Sequence, residues 1–123
     1  MLLQQSPGEA YRRVDFDARV TGARPAELVH VCYEHLIGAL GTAMHAHEKG
    51  DNELKSRSMT RALTAITALQ MGVSSEHAVG SALNQLYAAA RRTILDNALT
   101  FDAGQITTIR NDFTEIGQAL RNA

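Results

Sequence analysis

Several residue types are scarce in this chain, and each scarcity excludes a class of protein. Only one of the 123 residues is cysteine, Cys32, so no internal disulfide can form and a reducing compartment is expected. Tryptophan is absent and aromatic residues make up 5%, which favours aliphatic helices over a β-sandwich. The apolar share of 45% is ordinary, and a chain of this length predicts one globular domain.

The charge balance and the apolar runs argue against nucleic-acid and membrane partners. Lys and Arg number 12 against 13 Asp and Glu, for a net charge of −1, whereas nucleic-acid binding proteins usually carry a basic surplus. No stretch approaches the ~20 apolar residues that span a bilayer. The first residues, MLLQQSPGEA, lack the cationic start and long apolar run of a signal peptide. We therefore expect a cytosolic protein without membrane insertion.

Prolines are few, and after Pro25 nothing in the sequence forbids helix. Apolar residues then recur at three- and four-residue steps in four segments, which is typical of helices with one buried face. The breaks carry residues that end or cap helices: Gly50, Asp51, Gly72, Ser75, and Asp102 followed by Gln105 as a capping box. Four helices joined by short breaks predict an all-α fold, an antiparallel up-down four-helix bundle over residues 25–123.

Residues 1–24 do not share this periodicity. Their apolar side chains, Tyr11 and Val14 among them, are scattered between Arg and Asp residues without a sustained period. We therefore predict a mobile N-terminal arm or a short cap helix, separate from the bundle.

Candidate metal ligands occur on the first predicted helix. A di-iron bundle needs two Glu-x-x-His motifs, but the chain has one, Glu27 to His30, and it faces away from the apolar stripe. Cys32 and His35 lack the two further ligands of a structural zinc site. We expect Glu27 and His30 to be solvated, Cys32 to be a buried apolar residue, and the protein to hold no metal or other cofactor.

Other catalytic patterns are equally weak. His45 and His47 stand two apart and do not face each other on a helix, so we expect surface residues. Arg91 and Arg92 are typical of a solvated helix flank. The sequence has neither a nucleophile elbow nor a phosphate-binding glycine loop. We expect no enzymatic activity; a metal-dependent bundle enzyme and a structural oligomerisation module are the alternatives.

The first predicted helix carries more apolar residues than a bundle core requires. A helical projection places Val31 on the polar side of the stripe, and Tyr33 and Ile37 at its margin. Two explanations fit this surplus. The arm around Tyr11 folds back over these residues, or a helical partner docks on them.

Five stretches of the chain occur in an order and with a spacing that are typical of one protein family. They are AY at 10–11, VTGARPAELVHVCYEHL at 20–36, KGDNELKS at 49–56, LNQLYAAARR at 83–92 and DNA at 96–98. Together they resemble the flagellin-specific export chaperones of the FliS family, over residues 10 to about 121.

The resemblance implies a cytosolic, ATP-independent antiparallel bundle that binds the disordered C-terminal segment of flagellin. Such a chaperone prevents premature polymerisation and delivers flagellin to the flagellar type III export gate, and other assembly factors are possible further partners. A monomer or a weak homodimer is expected. Binding a disordered client spends energy on ordering it, so a long apolar contact is needed.

We assign the predicted partner-binding residues on this basis. Tyr11 on the arm would compete with the client. One groove would be lined by residues of the first helix: Leu28, Val31, Cys32, Tyr33 and Leu36. A second would be lined or supported by residues of the third helix: Leu86, Tyr87 and Ile94.

Overall fold

The computed structural model describes residues 25–73 and 78–122, which form four α-helices. They are α1 (Pro25–Lys49), α2 (Asn52–Met71), α3 (Ala78–Leu99) and α4 (Ala103–Arg121). The predicted arm over residues 1–24, which includes Tyr11, and the predicted cap at Ser75 lie outside the described residues. None of the helices in the described ranges is long and apolar enough to cross a membrane.

The turn between α1 and α2 forms as its sequence predicts. Gly50 adopts a φ of 72°, a left-handed conformation that glycine reaches without steric cost. The Asp51 N–H donates to the Ala46 carbonyl at 2.9 Å, which closes the end of α1. The Asp51 carboxylate then accepts from the Leu54 N–H at 3.0 Å and caps α2.

The turn between α3 and α4 differs from its prediction in one respect. Asp102 caps α4 as expected, since its carboxylate accepts from the Gln105 N–H at 3.1 Å. The Asp102 N–H, however, donates to the Asn97 side-chain oxygen at 2.6 Å rather than to Gln105. The Asn97 amide in turn donates to the Gln105 side chain and to the Thr93 carbonyl, each at 2.9 Å. One of the two hydrogen bonds of the predicted capping box is therefore formed. In the other, the side chain of the buried Asn97 replaces that of Gln105 as the acceptor for the Asp102 N–H.

The four helices pack in a ring. α1 lies against α2 and α4, and α3 lies against the same two helices, whereas the diagonal pairs have no close backbone contact within the described ranges. Because consecutive helices pack side by side across short turns, neighbours run antiparallel. The predicted up-down four-helix bundle is confirmed.

The core occupies the centre of this ring. Small side chains in α1 and α2 let helix backbones approach closely: Ala39, Ala43, Ala62 and Ala65 are all in the buried cluster. Large side chains fill the remaining space: Leu36, Leu40, Ile66, Ile94, Ile106 and Phe113 are almost fully buried. Each such side chain contributes about 1.5–3 kcal/mol through burial.

Candidate partner-binding grooves

The structure places most of the predicted first-helix site inside the protein. The exposed fraction is 6% for Val31 and 2% for Tyr33, and Leu36 is fully buried, while Leu28 is half-buried. The projection placed Tyr33 at the margin of the apolar stripe, but Tyr33 belongs to the buried core cluster, because α1 packs against two helices. Val31, which the projection placed on the polar side, is buried as well, although it lies outside that core cluster. Ile37 is half-buried against the core.

Tyr33 belongs to an aromatic cluster that joins three helices in the middle of the bundle. Its hydroxyl lies 2.7 Å from the hydroxyl of Tyr87 on α3, so a hydrogen bond links two diagonally opposite helices. The Phe113 ring on α4 packs 5.5 Å from the Tyr33 ring and 6.0 Å from the Tyr87 ring, between centroids. Burial raises the pKa of both phenols, so both stay neutral in the folded protein. The cluster sets how α1, α3 and α4 sit relative to one another.

The remaining predicted site residues are buried or half-buried in the bundle. Cys32 is buried, as expected, and burial raises the pKa of its thiol. Leu86 is half-buried and packs against the core. Ile94 is 1% exposed, yet it forms part of the wall of a surface groove.

That surface groove, which we call the α2/α3 groove, runs between the start of α2 and the end of α3. Its volume is about 270 Å³. The lining residues are Asn52, Lys55, Ser56, Met59, Thr60, Leu63, Ile94, Leu95, Asn97 and Ala98. Leu95 is 39% exposed beside it, and Leu99, one helical turn further along α3, is 91% exposed. This part of the bundle presents apolar surface that the described helices leave uncovered.

Lys55 is the one charged residue among those that line the α2/α3 groove. Its ammonium nitrogen lies 5.1 Å from the centroid of the Phe101 ring and 3.2 Å from the His47 Nδ1 atom. The His47 ring itself packs on Phe101 with 4.5 Å between centroids. Two residues, His47 near the end of α1 and Phe101 in the turn before α4, thus hold the Lys55 cation at the groove.

A second groove, the α1/α4 groove, lies between the start of α1 and the end of α4, with a volume of about 290 Å³. It is lined by Glu27, Val29, His30, Tyr33, Gly117, Leu120 and Arg121. Val29 is 39% exposed and Leu120 is 40% exposed. A Cβ atom at Gly117 would lie 3.1 Å from the Tyr33 ring, so glycine permits this close approach of α4.

The charged side of the α1/α4 groove centres on His30. The Arg121 guanidinium lies 3.1 Å from the His30 Nε2 atom, and the Glu34 carboxylate lies 3.0 Å from the same atom. Since the ring order places α1/α4 and α2/α3 on opposite sides, the two grooves face away from each other. They also lie at opposite ends of the bundle, because neighbouring helices are antiparallel.

Helical periodicity did not predict Lys55 or Leu95 as site residues. For Leu95 the sequence of α3 did contain evidence. Leu95 and Leu99 are four residues apart, so they lie on one face of the helix, next to the face that buries Ile94. For Lys55 no local signal existed, because its position depends on Phe101, which is 46 residues away.

The candidate metal ligands are not brought together. Within residues 25–73 and 78–122 no three His, Cys, Asp or Glu side chains are placed to hold a metal ion. Glu27 and His45 are exposed, His30 pairs with Glu34, and His47 packs on Phe101.

Comparisons with known proteins show what this chain is similar to. The profile of the family described as "Flagellar protein FliS" matches residues 7–123. The chain is also 26% identical over 116 residues to the flagellar secretion chaperone FliS of Salmonella typhimurium strain LT2, an alignment that covers 92% of this chain and 86% of that protein.

Proposed function

This chain belongs to the FliS family of flagellar proteins, and we propose that it is an export chaperone for flagellin. The related Salmonella protein is named a flagellar secretion chaperone, and the helical bundle described above fits such a role. In this proposal the protein acts in the cytosol and binds the C-terminal segment of flagellin. It keeps the segment from polymerising and delivers it to the flagellar type III export apparatus.

The α2/α3 groove is the observation that carries this proposal. Helix-in-groove recognition needs an apolar depression flanked by exposed apolar side chains. Met59, Leu63 and Ile94 supply the depression, and the exposed Leu95 and Leu99 extend the apolar surface along α3. A volume of about 270 Å³ suits a few anchoring side chains rather than a folded domain. Such a groove fits a client that becomes helical as it binds.

The predicted partner-binding residues take two roles in this proposal. Ile94 lines the α2/α3 groove and Tyr33 lines the α1/α4 groove, so these two are within reach of a bound segment. The others shape the bundle that presents the grooves: Leu28, Val31, Cys32, Leu36, Leu86 and Tyr87. Because the grooves lie on opposite sides, a client that used both would wrap around the bundle.

Residues 1–24 form a separate segment in this proposal, with residues 25–123 as the bundle. Tyr11 would compete with the client for the bundle surface. Deleting residues 1–18 should leave the bundle helical and change the affinity for flagellin or the self-association of the protein. An unchanged affinity, measured by calorimetry, would remove this role from the segment.

The main test places a large side chain in the groove. Ala98 lines the α2/α3 groove and is exposed, so Ala98→Trp should fill the groove without disturbing the core. Ala89 is exposed nine residues earlier, on the opposite face of α3, so Ala89→Trp is the matched control. Isothermal titration calorimetry with a C-terminal peptide of the same organism's flagellin gives the affinities.

We expect Ala98→Trp to weaken binding at least tenfold and Ala89→Trp to bind like the wild type. Circular dichroism spectra should show the same helicity for all three proteins. Equal affinities for the two variants would move the docking site away from the α2/α3 groove. No binding by the wild-type chain would refute the proposed function itself.

A further inference from the structure

We infer that Lys55 is a specificity-determining residue, which selects a client helix carrying a carboxylate beside its apolar face. The inference rests on the proposed function and adds to it the chemistry and the orientation of the client in the α2/α3 groove. It is carried by three observations about Lys55: its fixed position, its isolation as a charge, and the apolar residues beside it.

The position of the Lys55 ammonium group is fixed by its neighbours. Phe101, in the turn before α4, lies under the group at 5.1 Å, and the His47 Nδ1 atom near the end of α1 lies 3.2 Å from it. The side chain is half-buried, unlike a typical surface lysine. A positioned ammonium loses less conformational entropy on binding a partner than a free one does.

The charge of Lys55 is isolated in the groove. The other lining residues are apolar or neutral, and among the described residues the contacts of the ammonium group are an imidazole nitrogen and an aromatic face. A neutral segment that covered the groove would partly remove Lys55 from water without supplying a counter-charge, which is unfavourable. A carboxylate from the segment would offset that cost with a charge-assisted hydrogen bond.

The apolar residues decide what kind of acidic partner fits. Met59 lies four residues after Lys55 on α2, and Leu63 lies four residues after Met59, so all three follow one face of the helix. Met59 is 4% exposed, whereas Leu63 is half-buried and Leu95, on the α3 side of the groove, is 39% exposed. A purely acidic chain would leave Leu63 and Leu95 uncovered. The complementary client is therefore an amphipathic helix with apolar anchors over these two side chains and an Asp or Glu at the Lys55 end. This polarity fixes the direction in which the helix lies.

The test compares three variants by calorimetry with the flagellin C-terminal peptide. Lys55→Glu reverses the charge, whereas Lys55→Met removes it and keeps an apolar side chain over Phe101. Lys49→Glu makes the same reversal at the exposed end of α1, outside the groove lining. The helicity and the melting temperature of each variant are measured. If Lys55→Glu is poorly folded, the comparison is made between Lys55→Met and the wild type.

We expect Lys55→Glu to weaken binding about tenfold or more, Lys55→Met to weaken it a few-fold, and Lys49→Glu to change it less than twofold. Raising the salt concentration from 50 to 500 mM should weaken wild-type binding more than binding by Lys55→Met, because salt screens the pair. Equal losses for Lys55→Glu and Lys49→Glu would overturn the inference, since only net charge would then matter.

A charge exchange identifies the partner residue. Each acidic residue of the peptide is changed to Lys in turn, and each peptide is titrated against the wild type and Lys55→Glu. One peptide should bind Lys55→Glu better than the wild-type peptide does. If the wild-type chain binds the peptide but no exchange restores affinity, the inference fails and the proposed function stands. If the wild-type chain does not bind, both fail.

Discussion

Replacing Asn97 by alanine tests how the end of α3 is held to the start of α4. The Asn97 side chain is buried, and it makes three hydrogen bonds, two of them across the turn. It accepts from the Asp102 N–H, and it donates to Gln105 and to the Thr93 carbonyl. Alanine keeps the helix and removes all three bonds.

The expected loss of stability follows from these bonds. Each neutral hydrogen bond contributes about 1 kcal/mol net, so three set an upper value of about 3 kcal/mol. After the change, the exposed Gln105 side chain can bind water, and the Thr93 carbonyl remains within helix α3. Part of the hydrogen-bond energy that Asn97 supplied is therefore regained. We expect the free energy of unfolding to fall by about 2 kcal/mol. For a domain of this size the melting temperature should fall by about 8 °C.

Urea unfolding followed by circular dichroism measures this loss. Asn111→Ala is the control, because Asn111 is exposed on α4 and the substitution is chemically the same. A double-mutant cycle with Gln105→Ala should give a coupling of about 0.5–1 kcal/mol for the shared bond. If Asn97→Ala and Asn111→Ala were equally stable within about 0.5 kcal/mol, the bonding at this turn would contribute nothing and the reasoning would be wrong.

Two further predictions concern the glycines of the helices and the buried phenols. Gly38→Ala should stabilise the protein by about 1 kcal/mol, because a Cβ there meets nothing within 4 Å and alanine favours helix. Gly117→Ala should destabilise the protein by about 1 kcal/mol, because the new methyl group crowds the Tyr33 ring and this costs more than the higher helix propensity of alanine contributes. Urea unfolding measures both variants, and equal effects of Gly38→Ala and Gly117→Ala would contradict the packing described. Tyr33 and Tyr87 have pKa values raised above the value of about 10 expected in the unfolded chain, so their contribution to stability should be constant below pH ~10 and should be lost as the pH rises further. In a Tyr11→Phe variant, absorbance at about 295 nm should show both phenols ionising together with unfolding, and their ionisation in the folded protein at pH ~10 would refute the buried cluster.

The helices were predictable because their ends are marked locally. Gly50 and Asp51 close one helix and cap the next within two residues, and Asp102 caps α4 from its own side chain. Such signals need no knowledge of the rest of the chain. Together with the three- and four-residue apolar steps, they were sufficient for the four-helix bundle.

The location of the exposed apolar surface was not predictable in the same way. A projection of α1 alone cannot show that two helices pack against it, so it placed Tyr33 at the margin of the apolar stripe although Tyr33 lies in the core. The grooves arise between helices, and the α2/α3 groove is lined by Leu63 from α2 and Leu95 from α3. Lys55 is likewise positioned by Phe101 from a distant turn. These features depend on tertiary packing, which sequence periodicity does not encode.

Amide chemical-shift mapping of the labelled protein during titration with the flagellin C-terminal peptide tests the central claim most directly. If the α2/α3 groove receives the peptide, the largest shifts should fall in residues 52–63 and 94–98, and they should saturate with one affinity. A spectrum that does not change, or shifts confined to residues outside the α2/α3 groove, would contradict the account.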